Sequence, residues 1–260
     1  MLESSLKILF PSQFCLLGVV GILLLVIAEI GFRMGSRISR QDNDASKSEI
    51  SGYQGAVLGL LALLLGFTFS MALNHYDLRR SLMVQEANSI GTTYLRTAFL
   101  PEGVRETSRR LLQSYVQLRM EQGYLTGIPN NLQMKTSAIL DELWKQAEVA
   151  AVAAPNPITS TYIISLNETI DLAATRLAAA RYRVPSALWV MLVLVSAFGI
   201  WASGFSAGVN RKRAWFLAVG LPVLITLVML LIADISLPHH GFIRADYSSM
   251  VDLLESMKKP

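Results

Sequence analysis

Four runs of this chain contain no Asp, Glu, Lys or Arg: residues 8–28, 50–76, 184–210 and 214–233. Each has about 20 residues or more, the length a helix needs to cross a hydrocarbon core roughly 30 Å thick. A backbone in lipid has no water to bond, so such a run forms a helix that satisfies its own amides and carbonyls. Composition agrees, with 52% hydrophobic and 16% charged residues against roughly 25% charge in an average soluble chain. The first run is long for the apolar part of a secretory signal, and "AEIGFRMGSR" after it offers no small-residue cleavage pattern. It reads as a retained span.

The spans fall into two hairpin pairs. A polar loop, "RMGSRISRQDNDASKSEISG", joins the first two, and "NRKR" (210–213) joins the last two. The expected fold is an all-α membrane protein: a first transmembrane hairpin over 1–74, an extramembrane helical bundle over 75–183, a second hairpin over 184–236 and an amphipathic tail over 237–260. An even number of spans places both termini and the insert on one side of the bilayer.

The insert has helical periodicity. Leu78, Leu82, Glu86, Ile90 and Tyr94 recur every four residues and so share a face. Leu100–Pro101 ends that helix and starts the next. Leu111, Leu112, Tyr115, Leu118 and Arg119 mark a second helix, Ile139, Leu140, Leu143 and Trp144 a third, and Ile163, Leu166, Ile170, Ala173, Leu177 and Ala180 a fourth. No proline falls between Gly52 and Ala98, so the second span is expected to continue into the insert as one helix of about 70 Å. The fourth insert helix is expected to feed the third span. In the tail, Ile243, Tyr247, Met250, Val251 and Leu254 predict an amphipathic helix on the membrane surface or on the bundle.

Several functions are disfavoured. The net charge is only +4 and the basic residues are dispersed, which argues against a nucleic-acid footprint. Cys15 is the single cysteine, so no intrachain disulfide or cysteine metal cluster forms. No phosphate loop, nucleophile elbow or zinc helix is present, so no enzyme, cofactor or metal is expected. His239 and His240 read as solvated residues of a loop. Sidedness stays open: the short loops, with Arg33, Arg37, Arg40, Lys47, Arg211, Lys212 and Arg213, place the insert outside on their own. Counting Arg79, Arg80, Arg176, Arg181 and Arg183 at the insert's edges removes that bias.

The candidate residues follow from this layout. Gly52, Gly55, Gly59, Gly66 and Ser70 form a small-residue stripe on the second span, suited to close packing against another helix or a symmetry mate. Leu61, Leu64, Leu65, Phe67 and Phe69 are candidates for an apolar constriction along a pore. Glu29 and Asp234 are acids at the ends of the first and fourth spans, where ionisable groups are either functional or simply reach water. Glu86 lies on the inward stripe of the insert and needs a partner if buried. Arg176 and Arg181 are the candidates, either in a salt bridge that fixes bundle register or in a gating or relay element.

Beyond these physical readings, "GFTFS" (66–70), "RR" (79–80), "EANSIGTTYLR" (86–96) and "LP" (100–101) together resemble a bacterial membrane-protein family labelled bestrophin-like. "EIGFRMG" (29–35) and "RYRVPSALW" (181–189) extend the resemblance over nearly the whole chain. One piece departs: "DISLPHHG" keeps Asp234, Pro238 and Gly241 but has Ser236 and Leu237 where the family has an acid and an arginine. The resemblance implies a bacterial inner-membrane protein, an oligomer of identical chains passing ions along a pathway lined by the second span. It also implies a cytoplasmic insert, against the short-loop count. The rival reading is a non-conducting envelope scaffold whose bundle binds a partner.

Overall fold

The structure, a computed structural model, describes residues 12–38, 44–124, 130–211, 215–236 and 247–258. His239, His240 and Ile243, with Lys212 and Arg213 of the "NRKR" loop, lie outside these residues. Every regular element among the described residues is helical: α1 (Ser12–Ile38), α2 (Asp44–Arg96) followed by a 3-10 turn (Thr97–Phe99), α3 (Glu102–Tyr124), α4 (Asn130–Ala153), α5 (Pro157–Ala179), α6 (Ser186–Val209), α7 (Trp215–Ser236) and α8 (Ser248–Lys258). Four of them, α1, α2, α6 and α7, are long and apolar enough to cross a membrane. The chain divides into two compact units, one of residues 1–74 and 183–237, the other of 75–182 and 238–260.

In the first unit α1 packs along α6, and both meet α7. The core holds Leu24, Leu61, Leu192, Ile200, Ile225 and Met229. Two pairs of glycines set the approach of α1 to α6. A Cβ at Gly31 would collide with the carbonyl oxygen of Trp201, and one at Gly35 with that of Phe205. Reciprocally, Gly204 faces the carbonyl of Ala28, and Gly208 that of Phe32. Each pair is a Gly-x-x-x-Gly segment, "GFRMG" and "GFSAG", and the absent side chains bring the two backbones into contact.

The second unit is a helical bundle around Ile90, Leu112, Tyr115, Val116, Leu143, Tyr162 and Leu166. Its α5 begins at a capped turn: the Asn156 side chain accepts from the Thr159 amide, and Pro157 occupies the first turn. The tail helix α8 belongs to this bundle. Met250 and Met257 are buried, and Tyr94 Oη and Gln113 Nε2 both donate to the Met257 carbonyl, at 3.0 and 3.1 Å. Gly91 leaves room for Leu253, whose Cδ1 would stand 3.2 Å from an added Cβ.

The long helix is as expected, since α2 runs unbroken through 53 residues from span to bundle. The expected run of the fourth bundle helix into the third span is corrected. α5 stops at Ala179, residues 180–185 are non-helical, and α6 restarts at Ser186. Pro185 accounts for the break just ahead of α6, since it disfavours helical geometry in the residue before it and offers no amide to continue a helix.

Candidate functional site

The "EANSIGTTYLRT" segment of α2 turns a polar stripe into the bundle. Glu86, Ser89, Thr93 and Thr97 follow at three- and four-residue intervals, and all are buried. Buried polar groups of this kind must find partners, and here they do. Thr169 of α5 bonds Ser89 Oγ at 2.8 Å and Thr93 Oγ1 at 3.1 Å through its hydroxyl. Thr93 also donates to the Ser89 carbonyl, and Arg109 Nε donates to Thr97 Oγ1 at 3.0 Å.

Glu86 is fully buried and is the hub of the cluster. Its Oε1 accepts from Tyr115 Oη at 2.6 Å, Arg119 Nε at 2.8 Å and Arg119 Nη2 at 2.6 Å. Its Oε2 accepts from Arg176 Nη1. Burial by itself pushes this carboxyl up, but the Arg119 and Arg176 guanidiniums and the Tyr115 hydroxyl outweigh it and hold it below the usual carboxylate range. The same burial, reinforced by the Glu86 charge, pushes the Tyr115 phenol well above its ordinary value. Arg119 is held raised because the Glu86 charge overcomes its own desolvation. The cluster is therefore fixed as one anion between two cations.

Of the two arginines expected at Glu86, the structure supplies Arg176 and not Arg181, which lies exposed in the turn after α5. The second cation is Arg119 of α3. Its position in the four-residue pattern of "LLQSYVQLR" was readable, but its partner on a different helix was not. Tyr115, one turn before it on the same helix, completes the set. Arg176 also lies 5.9 Å over the Tyr247 ring beside α8.

The span candidates separate into two faces. Leu61 is only 2% exposed and belongs to the core of the first unit, with Leu64 and Leu65 packed against it. It is a packing residue and not part of an open wall. Phe67 is 66% exposed, and Leu60 and Leu63 are exposed on the same helix; Phe69 is half-buried. Gly52, Gly55, Gly59, Gly66 and Ser70 are exposed as well, and a Cβ at any of the four glycines meets nothing within 4 Å. The close helix packing within the chain instead falls to Gly31, Gly35, Gly204 and Gly208.

The boundary acids also differ. Asp234 is buried near the end of α7. Glu29 accepts from Arg33 Nε at 2.8 Å, one turn on, and borders a cavity of about 630 Å³ with Gln54, Ser203, Asn210 and Trp215.

Four apolar helices of spanning length, with a helical bundle inserted between the second and third, define an all-α membrane protein. The chain belongs to the Bestrophin-like family, whose domain matches residues 22–250. Its fold is similar to solved bacterial bestrophin homologues from Klebsiella pneumoniae. One, a point variant, has a TM-score of 0.67 at 12% identity over 94% of this chain and 97% of the other. A second has 0.66 at 15% identity over 92% and 94%. A further structure, of a membrane protein variant, has 0.68 at 14% identity over 95% and 100%. No curated protein matches the sequence.

Proposed function

We propose that copies of this chain assemble in the inner membrane of a bacterium, with the exposed face of α2 enclosing an axial pathway for ions. The observation that carries this reading is the unused face of α2. Gly52, Gly55, Gly59, Gly66 and Ser70 lie open along it, flanked by exposed Leu60, Leu63 and Phe67. Small residues let identical helices approach one another closely in lipid. Leu60, Leu63 and Phe67 lie at helical spacing and supply an apolar constriction of the kind that gates by dewetting. Family membership supports the same reading.

The test is ion flux from liposomes containing the purified protein, together with the symmetry of the detergent-solubilised particle. Flux through a particle with a central rotation axis supports the pathway. Absent flux at every gradient and pH, in a twofold particle, overturns it. That outcome favours the scaffold reading, which draws on a specific observation: residues 50–76 carry no Asp, Glu, Lys or Arg, only the weakly ionisable Tyr53 near their start and His75 and Tyr76 at their end. The apolar part of the span therefore offers no charged ring to select an ion.

A further inference from the structure

Within the first unit, α1, α6 and α7 leave a groove of about 580 Å³ between them. Its walls are Leu17 and Val20 of α1, Trp189, Val193 and Leu194 of α6, and Ala233 of α7. Among the described residues that line it, Arg183 alone is charged, and it is exposed at the groove's end just before α6. Leu194 is 64% exposed, so the groove is open along its flank. The nine residues from Ser186 to Leu194 rise about 12 Å, close to the depth of one leaflet of a core roughly 30 Å thick.

These features combine two demands. An apolar crevice at hydrocarbon depth loses dispersion contacts along its walls unless a chain fills it. A guanidinium at the membrane boundary seeks a planar or tetrahedral oxyanion, with phosphate an apt partner. Trp189 lies one turn inside the boundary, the level at which indoles meet head groups. No acidic side chain among the described residues lines the groove to receive a quaternary ammonium.

We propose that this groove binds an anionic phospholipid, its phosphate on Arg183 and one acyl chain along Val193 and Leu194. The site is independent of whether the protein conducts ions. Charge complementarity selects the occupant: a phosphodiester with a neutral head, as in phosphatidylglycerol, suits a lone arginine, whereas phosphatidylcholine brings a cation with no partner.

The experiment is native mass spectrometry of the full chain in detergent, with phosphatidylglycerol or phosphatidylcholine added at equal concentration. The wild type is expected to retain phosphatidylglycerol in preference. Arg183→Gln is expected to lower that retention about fivefold and leave phosphatidylcholine unchanged. Val193→Trp fills the groove and is expected to lower retention of both lipids, with thermal unfolding and particle size as in the wild type. Equal retention of the two lipids by the wild type overturns the proposal, as does full phosphatidylglycerol retention by Arg183→Gln. A disulfide between two copies of Leu194→Cys in a Cys15→Ser background places a second copy in the groove and overturns it as well.

Discussion

At the scale of single residues, Glu86 concentrates the electrostatics of the bundle. Two guanidiniums and a phenol converge on one buried carboxylate, and taking away one member of such a set leaves the rest desolvated and unmatched. Glu86→Gln is therefore expected to destabilise the bundle by about 3–5 kcal/mol, measured by thermal or denaturant unfolding followed by circular dichroism. Arg119→Ala is expected to cost a similar amount. Arg181→Ala, at an exposed position, is expected to fall within about 0.5 kcal/mol of the wild type. The lowered pKa of Glu86 fixes the sign of the pH dependence. Its contribution is complete above the ordinary carboxylate value of 4.5 and fades as pH falls through the lower folded value. Stability measured between neutral and acid pH should show that loss in the wild type and lack it in Glu86→Gln. The burial of Glu86 was legible in its place between Leu82 and Ile90 on one helical face. Its partners were not, because Arg119 and Tyr115 come from α3, and periodicity says which face turns inward but not which helix it meets.

At the scale of elements, the α1–α6 crossing is the tightest packing in the first unit. Its glycines meet carbonyl oxygens, which cannot swing aside as a side chain can. Gly204→Val is expected to cost about 1–3 kcal/mol or more, read as a lowered midpoint of thermal unfolding in detergent. Gly66→Val, on the open face, is expected to leave the same midpoint unchanged for the isolated protomer. Both Gly-x-x-x-Gly segments were visible in the sequence. Arg33 sits inside the first of them, beyond the charge-free run, so that segment lies at the end of its span and not within it. The halt between α5 and α6 was equally legible at Pro185. A proline just ahead of an apolar run can either open a helix or interrupt one, and here Pro185, at φ -55° and ψ 138°, stands outside the helix as the cap of α6.

At the scale of the whole molecule, the surface of α2 carries what the chain does not use for itself. Gly59→Trp places a large side chain on that face without touching the chain's own core. It is expected to change the oligomeric state, seen by light scattering of the solubilised particle, while helical content is kept. Phe67→Ala is expected to raise ion flux severalfold in liposomes by widening an apolar constriction, and Leu61→Ala to act through stability, as its 2% exposure requires. The number and order of the spans followed from hydrocarbon thickness alone. Which side of α2 faces inward did not, because a helix apolar on every side carries almost no directional signal.

The glycine faces of α1 and α6 also impose an order of events on biosynthesis. α1 is made before α6, yet the surface shaped to its backbone is on α6, which leaves the ribosome only after α3, α4 and α5 have been translated. Until then the first hairpin rests in the bilayer with its narrowest contact unmade. A chain truncated before α6 would therefore leave the glycine face of α1 without the backbone it fits.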